Sequence, residues 1–266
     1  MSLEQMILLA LIQGITEFLP VSSSGHLALV HELTDWSDQG VLIDVAVHGG
    51  TLGAVLLYFR RDVGAMTVGF FKLLGGRMTN EGRLALFLIG ATIPVIIAGY
   101  LLLKSGQVAH LRTAEVVAWA NLVFALVLWA TDRLGLTVRR LEHMTWGSAM
   151  GIGLAQVIAL IPGASRAGVT ISAARILGFE RSDAARFSML LSIPTILGAA
   201  VASSLEVYEA GDIALGYDMV LAALLSLGAA LLAIHLFLKM MAHMTLLPFV
   251  IYRLVLGALL LAWISF

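Results

Sequence analysis

The chain has 266 residues, of which 60% are hydrophobic and only 12% are charged. A soluble domain of this length carries about twice that share of charged residues, so the composition predicts an integral membrane protein. The formal net charge of −1, without blocks of like charge, argues against nucleic-acid binding. Because the chain has no cysteine, disulfides and thiolate chemistry are excluded.

Two apolar stretches are interrupted near their middle. The first, residues 5–33, is broken by the run Pro-Val-Ser-Ser-Ser-Gly at 20–25, and the second, residues 146–178, by Pro-Gly-Ala-Ser at 162–165. Broken backbone at membrane depth is tolerated only where protein or a water-filled cavity surrounds it. We therefore predict two re-entrant helix hairpins.

Six other apolar runs are long enough to cross a bilayer, which takes about 20 helical residues. They lie at 43–59, 84–104, 113–131, 186–205, 217–238 and 246–265. The order is one hairpin and three spans, repeated once. This order predicts an all-α polytopic membrane protein with a single membrane domain over residues 1–266, built as an inverted-topology repeat of 1–140 and 141–266.

Lysine and arginine are distributed unevenly between the two predicted sides of the membrane. Eleven of the sixteen fall in loops on one side, at positions 60, 61, 72, 77, 83, 133, 139, 140, 181, 186 and 239. By the positive-inside rule this side is cytoplasmic, so we expect both termini to be periplasmic. Arg166, Arg175 and Arg253 remain in or near apolar segments; for Arg253 we expect a loop carboxylate as partner, or a position at an interface.

Side chains capable of chemistry cluster at the two breaks. Gln13 and Glu17 are one helical turn apart and share a face, and His26 lies one turn beyond Ser23. In the second hairpin Arg166 begins a helix whose free N–H groups favour an anion. A carboxylate, an imidazole and a guanidinium at membrane depth are costly, and packing does not explain them. The pattern predicts an oxyanion site with an acid, a base and a hydroxyl, although serines before helices are also ordinary N-caps.

Several motifs together resemble one family. They are the run from Gln13 to His26, the Pro-Gly-x-Ser-Arg-x-Gly-x-Thr-Ile run at 162–171, Phe-Ser at 187–188 ahead of Pro194, and Leu-Pro-Phe-Val-Ile-Tyr-Arg at 247–253. In this order they resemble the bacterial undecaprenyl pyrophosphate phosphatases, the bacitracin-resistance proteins. The resemblance implies an inner-membrane hydrolase that removes one phosphate from undecaprenyl pyrophosphate, and so recycles the lipid carrier of cell-wall synthesis. It also implies an active site open to the periplasm.

The resemblance assigns roles to individual residues as well. Matched position by position, it implies that Glu17, Ser23, His26 and Arg166 are catalytic. The residues expected to bind the substrate around them are Gln13, Ser22, Ser24, Gly163, Ser165, Gly168 and Thr170. Gln13 stands where many members have glutamate, which removes the second carboxylate from the site.

For the reaction, we expect Arg166 to clamp the diphosphate and Ser23 to attack, with His26 as its base. Glu17 would orient His26 or hold a divalent cation, Mg²⁺ or Ca²⁺, with the substrate supplying most of the ligands. Attack by His26 or by a positioned water remains open.

The rival class is a transporter or flippase of polyprenyl phosphate lipids, because inverted repeats and a midplane anion site are also the architecture of secondary transport. A hydroxyl beside a base favours the enzyme. The expected partners are the polyprenyl pyrophosphate substrate and membrane lipids. The pair Gly49 and Gly53 permits close helix packing, and with it a homodimer.

Overall fold

The computed structural model describes residues 2–34, 36, 40–210 and 216–265. All named elements within these ranges are helical. The α-helices are α1 (Leu3–Thr16), α2 (Ser23–Leu33), α3 (Gly40–Tyr58), α4 (Arg60–Leu74), α5 (Asn80–Lys104), α6 (Val108–Leu111), α7 (Ala114–Leu134), α8 (Trp146–Gln156), α9 (Arg166–Ile176), α10 (Arg181–Ala210), α11 (Tyr217–Met241) and α12 (Leu247–Ser265). Short 3₁₀ helices cover Leu141–His143 and Val157–Leu160.

The six predicted spans are confirmed. Helices long and apolar enough to cross a membrane cover Val41–Tyr58, Asn80–Lys104, Ala114–Leu134, Arg181–Val201, Tyr217–Met241 and Leu247–Ser265. Both interrupted stretches form two helices separated by a break, α1 with α2 and α8 with α9. At 14 residues, α1 is too short to cross a bilayer.

Helices of the two predicted halves pack against each other in exchanged pairs. The first hairpin helix α1 packs on α11, whereas α8, its counterpart in the second half, packs on α5. In the same way α3 packs on α11 and α10 on α5, and the last spans of the halves, α7 and α12, pack on each other. This reciprocity is consistent with the predicted inverted repeat.

Two glycines permit the closest of these contacts between hairpins and spans. A Cβ added at Gly14 in α1 would lie 2.6 Å from the carbonyl oxygen of Ser226 in α11. A Cβ at Gly153 in α8 would collide with the carbonyl of Ala91 in α5. The absence of a side chain therefore sets the distance at which each hairpin helix seats on the opposite half.

Helix α4 was not predicted. Hydropathy alone assigns residues 60–83 to a loop, because this stretch carries several charges. The helix packs antiparallel to the start of α5, where a Cβ on Gly69 would lie 2.5 Å from the backbone nitrogen of Gly82. Tertiary packing against α5 stabilises this helix, and a hydropathy pattern does not report such packing.

A buried charge cluster joins the ends of four helices near the predicted cytoplasmic side. Asp132 of α7 accepts from Arg181 Nε at 2.6 Å and from the backbone N–H of Leu246 at 3.1 Å. It also lies 3.5 Å from Arg175 Nε. Arg175 donates to the carbonyls of Gly135 and Phe179, so it satisfies backbone groups at the ends of α7 and α9. One carboxylate therefore ties α7, α9, α10 and the start of α12 together.

We expect Asp132→Asn to lower the free energy of unfolding by about 3 to 5 kcal/mol, because it leaves the buried Arg175 without an anion. Thermal or denaturant unfolding of the detergent-purified protein measures this. Glu115→Gln is the matched control, since Glu115 is exposed at the start of α7, and its loss should cost under about 1 kcal/mol. Equal losses of unfolding free energy in the two variants would contradict the conclusion that Asp132 holds the four helices together.

Candidate active site at the two helix breaks

The two breaks share an unusual backbone geometry. Ser22 has φ 75° and Ser165 has φ 70°, and they are the non-glycine residues with positive φ in the described part of the chain. Each serine caps the helix that follows: Ser22 Oγ accepts from the N–H of Gly25 at 3.3 Å, and Ser165 Oγ from that of Gly168 at 3.1 Å. The two positions are 143 residues apart, so the two halves repeat the same strained turn at equivalent positions.

An ion pair connects the breaks. Arg166, the first residue of α9, donates from Nη2 to Glu17 Oε1 at 2.9 Å and to the Glu17 carbonyl at 3.3 Å. The two side chains are only 14% and 7% exposed. The other terminal nitrogen of Arg166, Nη1, is buried and has no hydrogen-bond partner within the described residues. A buried N–H of a permanent cation without an acceptor is able to donate to an anion.

The second oxygen of Glu17 collects two donors. Ser23 Oγ donates to Glu17 Oε2 at 2.7 Å, and Gln13 Nε2 donates to the same atom at 2.8 Å. The Gln13 amide thus holds the Glu17 carboxylate by a hydrogen bond. Gln13 Oε1 is buried without a partner among the described residues. The Ser23 hydroxyl therefore lies against a carboxylate that can accept its proton.

His26 faces a different residue from the one we expected. Its Nδ1 lies 2.6 Å from the Ser22 carbonyl, and its Nε2 lies 2.5 Å from the Tyr252 hydroxyl. Because a carbonyl only accepts, Nδ1 carries the proton in neutral imidazole and Nε2 accepts from Tyr252. The two rings also stack, with centroids 5.7 Å apart. Both ring nitrogens are engaged, and no hydrogen bond joins His26 to Ser23 in the described part of the chain; Ser23 is paired with Glu17 instead.

Arg253 connects the breaks from α12. It is 0% exposed and donates to the Gly163 carbonyl at 2.7 Å, to the Pro20 carbonyl at 3.3 Å and to the Ala120 carbonyl at 3.4 Å. The expectation of a carboxylate partner or an interfacial position was wrong. The physical reason is that the two breaks release backbone carbonyls from helical hydrogen bonding, and these carbonyls accept from the terminal nitrogens of the guanidinium.

The remaining residues predicted to bind substrate differ in what they offer. Gly163 has φ 92°, and a Cβ there would lie 2.7 Å from the Val117 carbonyl, so this glycine shapes the second break. Thr170 is buried, and its hydroxyl lies 2.7 Å from Ser188 Oγ and 2.8 Å from the Arg166 carbonyl, so it joins α9 to α10. The side chain of Ser24 falls outside the described residues.

No role was predicted for Tyr252 from the sequence, and the predicted partner of Arg253 was wrong. The available signal was their adjacency in the Leu-Pro-Phe-Val-Ile-Tyr-Arg run, which brings a phenol and a guanidinium to the start of a span. In α12 adjacent residues point in directions about 100° apart. Tyr252 can therefore reach His26, while Arg253 lies between the two breaks.

The candidate metal ligand Glu17 lies in a site without other metal-binding side chains close enough to form a cluster. Within the described residues no group of three or more His, Cys, Asp or Glu side chains converges. Both oxygens of Glu17 already accept from Arg166, Ser23 and Gln13. The protein groups alone do not fit a resident cation.

Taken together, fold and site define a class: polytopic helical membrane proteins in which two broken helices enclose a buried guanidinium, carboxylate and hydroxyl. The model of the bacitracin resistance protein BacA family matches residues 6–259. The chain belongs to this family.

Named relatives match along the whole chain. An undecaprenyl-diphosphatase of Jannaschia sp. (strain CCS1) is 50% identical over 262 residues, which is 98% of each chain. Similar matches are the undecaprenyl-diphosphatases of Ruegeria pomeroyi, 49% identical over 98% of each chain, and Alteromonas mediterranea, 47% identical over 100% of each chain.

The strained turns give a prediction about stability. We expect Ser165→Gly to be less destabilising than Ser165→Ala by about 1 to 2 kcal/mol. Both variants lose the cap on Gly168, but only glycine adopts the positive φ without strain. Unfolding of the two purified variants under the same conditions measures the difference, and the same order should hold for Ser22. Alanine equal to or better than glycine would show that the turn is not strained.

Proposed function

We propose that this protein is a membrane phosphatase that hydrolyses undecaprenyl diphosphate to undecaprenyl phosphate and inorganic phosphate. It thereby recycles the lipid carrier for cell-wall synthesis and confers resistance to bacitracin. Membership of the bacitracin resistance family and the names of relatives at about half identity support the activity. The observation that carries the proposal is the free nitrogen of Arg166 beside a hydroxyl that donates to a carboxylate.

The diphosphate binds between the two breaks. Arg166 Nη1 donates to the terminal phosphate, and the N–H groups at the starts of α2 and α9 face the same space. Phosphoryl transfer needs mainly positioning and neutralisation of charge on the phosphate oxygens, which a guanidinium and two helix N-termini provide. The prenyl tail remains in lipid, so a polar reacting site is compatible with an apolar outer surface.

Glu17 is the base for Ser23. As the Ser23 proton moves to Glu17 Oε2, Oγ attacks the terminal phosphorus, and the bond from phosphorus to the bridging oxygen breaks. Undecaprenyl phosphate leaves with that electron pair. A water then attacks the phosphorus of the phosphoserine, and the bond from phosphorus to Ser23 Oγ breaks. Oγ takes back the proton held by Glu17, and inorganic phosphate leaves with both protons of the water. This assignment replaces His26 as the base, since Ser23 Oγ lies 2.7 Å from Glu17 Oε2.

Proton transfer to Glu17 also changes its bond to Arg166. A neutral carboxylic acid holds a guanidinium less strongly than a carboxylate does. The ion pair therefore weakens as negative charge develops on the transferred phosphoryl group, and Arg166 can follow that charge. The resting pair keeps the guanidinium satisfied when no substrate is bound.

A divalent cation, Mg²⁺ or Ca²⁺, would enter this site with the diphosphate. Gln13 Oε1, a buried acceptor without a partner among the described residues, would offer it one protein oxygen, and the substrate would supply most of the other ligands. Such a cation would neutralise part of the phosphate charge, and the roles of Ser23, Glu17 and Arg166 would be the same.

We place the protein in the bacterial inner membrane, with the active site open to the periplasm and both termini on that side. The unequal distribution of lysine and arginine supports this orientation. A transporter of polyprenyl phosphates would share the anion site, but transport does not need a nucleophile and should survive Ser23→Ala.

We expect Arg166→Lys to lower kcat/KM for phosphate release by about 100- to 1000-fold, because an ammonium cannot reach Glu17 and the phosphate with separate planar nitrogens. Release from undecaprenyl or farnesyl diphosphate by purified protein measures it. The exposed Arg112→Lys should remain near wild type. Near-normal turnover by Arg166→Lys would refute the clamp.

Ser23→Ala should reduce phosphate release by about 1000-fold or more, as loss of a nucleophile does. Ser192→Ala is the control, since Ser192 is a buried serine of α10 whose hydroxyl donates to the backbone carbonyl of Met189; it should remain active. Acid-quenched wild-type protein should carry a phosphoserine at position 23, detectable by peptide mass spectrometry. An inactive Ser23→Ala without that adduct in the wild type would assign the attack to water.

A further inference from the structure

A charged cavity lies on the predicted cytoplasmic side, opposite the predicted periplasmic opening of the active site. Its volume is about 380 Å³, and it is lined by the starts of α5 and α10, the beginning of α4 and residues 140–144. The charged groups that face it include Asp62, Glu81, Arg83, Glu142, Asp183 and Arg186. None of the cavity's residues belongs to the site at the helix breaks.

Several of these charges already have partners. Arg186 pairs with Asp62, which ties α10 to α4. Arg140 also lines the cavity and pairs at 3.3 Å with Glu180, which does not line it. Asp183 accepts a hydrogen bond from the Leu141 backbone. These contacts connect the segments that form the cavity walls.

The remaining charges form a distinct set. Arg83 lies over the Phe87 ring, 5.8 Å from its centroid, and Arg83 and Glu81 form no ion pair within the described residues. Glu142 lies 3.8 Å from His143, and its side chain is 72% exposed. Apart from Arg140 and Arg186, which have carboxylate partners, the cavity contains one guanidinium, that of Arg83, and the carboxyl groups of Glu81, Glu142 and Asp183. This arrangement complements a ligand that carries one phosphate and one ammonium group.

An apolar groove continues from this cavity. It has a volume of about 330 Å³ and lies between the same three helices, α4, α5 and α10. On α10 the positions 183, 186, 190, 193 and 197 follow at three- and four-residue intervals, so they form one stripe. The first two line the charged cavity and the last three line the groove.

The polarity falls in the same direction along two helices. On α5, Arg83, Leu84 and Phe87 line the cavity and Ala85, Leu88 and Ile89 line the groove, so the two overlap along the helix and the groove extends further from its charged start. Both α5 and α10 begin at the charged end and continue into the membrane. The change from charged to apolar lining therefore follows the change from headgroup to hydrocarbon in a bilayer leaflet.

We propose that the cavity and groove together bind one phospholipid with a phosphoethanolamine headgroup from the leaflet on this side. Arg83 holds the phosphate, Glu81 and Glu142 with Asp183 hold the ammonium, and an acyl chain lies in the groove between α4, α5 and α10. A phosphoglycerol headgroup lacks the ammonium and faces the carboxylates directly. A choline headgroup has the charge but no N–H to donate.

Binding is measured by native mass spectrometry and by thermal stabilisation of purified protein, with phosphatidyl-ethanolamine, -choline and -glycerol of identical acyl chains. We expect the ethanolamine lipid to bind about tenfold more tightly than the other two. Arg83→Gln should weaken it by about tenfold, whereas Arg112→Gln, which removes an exposed arginine from a different loop, should not. Ile193→Trp fills the groove and should also weaken binding, while Leu232→Trp, at a 60% exposed site of α11, should not.

Phosphatase activity of Arg83→Gln and Ile193→Trp, which we expect to be retained in detergent, shows that each variant is folded. Equal affinity for the three lipids would overturn the proposal, as would equal losses in Arg83→Gln and Arg112→Gln. If glycerophosphoethanolamine, which has no acyl chains, bound as tightly as the whole lipid, the groove would not be part of the binding site. Preferential binding of polyprenyl phosphate at this cavity would assign it to the reaction product instead.

Discussion

The hydrogen-bonded ion pair between Arg166 and Glu17 holds the site together, because it joins two helix breaks that come from different halves of the chain. A guanidinium cannot discharge itself at membrane depth, so its carboxylate partner is obligatory. That partner in turn orients Ser23 and Gln13 through its second oxygen. A single carboxylate thus sets the positions of the anion clamp, the hydroxyl and the amide.

Backbone groups at the breaks supply the rest of the arrangement. Where helices stop inside a membrane, carbonyls lose their intrahelical donors, and each needs another partner. Arg253 satisfies carbonyls from both breaks and from α7 at once. Ser22 and Ser165 satisfy the opposite need, since each caps N–H groups of the helix that follows. The backbone groups that lose their helical partners at the breaks make the site polar, and they also bind the side chains that stabilise it.

Most of the fold could be predicted from the sequence, because hydropathy over about 20 residues reports a span directly and a Pro-containing polar break inside an apolar stretch reports a hairpin. Helix α4 could not, since its stability comes from contact with α5. In the site, the ion pair between Glu17 and Arg166 was not predicted, whereas the gathering of both residues at the two breaks followed from the cost of buried charge. The pairing of Ser23 with Glu17 and of His26 with Tyr252 did not, because it depends on the positive φ at Ser22, which sequence spacing along a helix does not reveal.

The exchanged packing of the two halves has a consequence for biogenesis. Helix α1 seats on α11, and the close contact at Gly14 is with Ser226. At typical synthesis rates, α11 leaves the ribosome roughly 10 to 40 seconds after the first hairpin. During that interval Glu17 and the broken backbone lack α11, and for most of it they also lack Arg166. The nascent hairpin must therefore wait in a shielded or interfacial position, and neither half can mature as an independent unit.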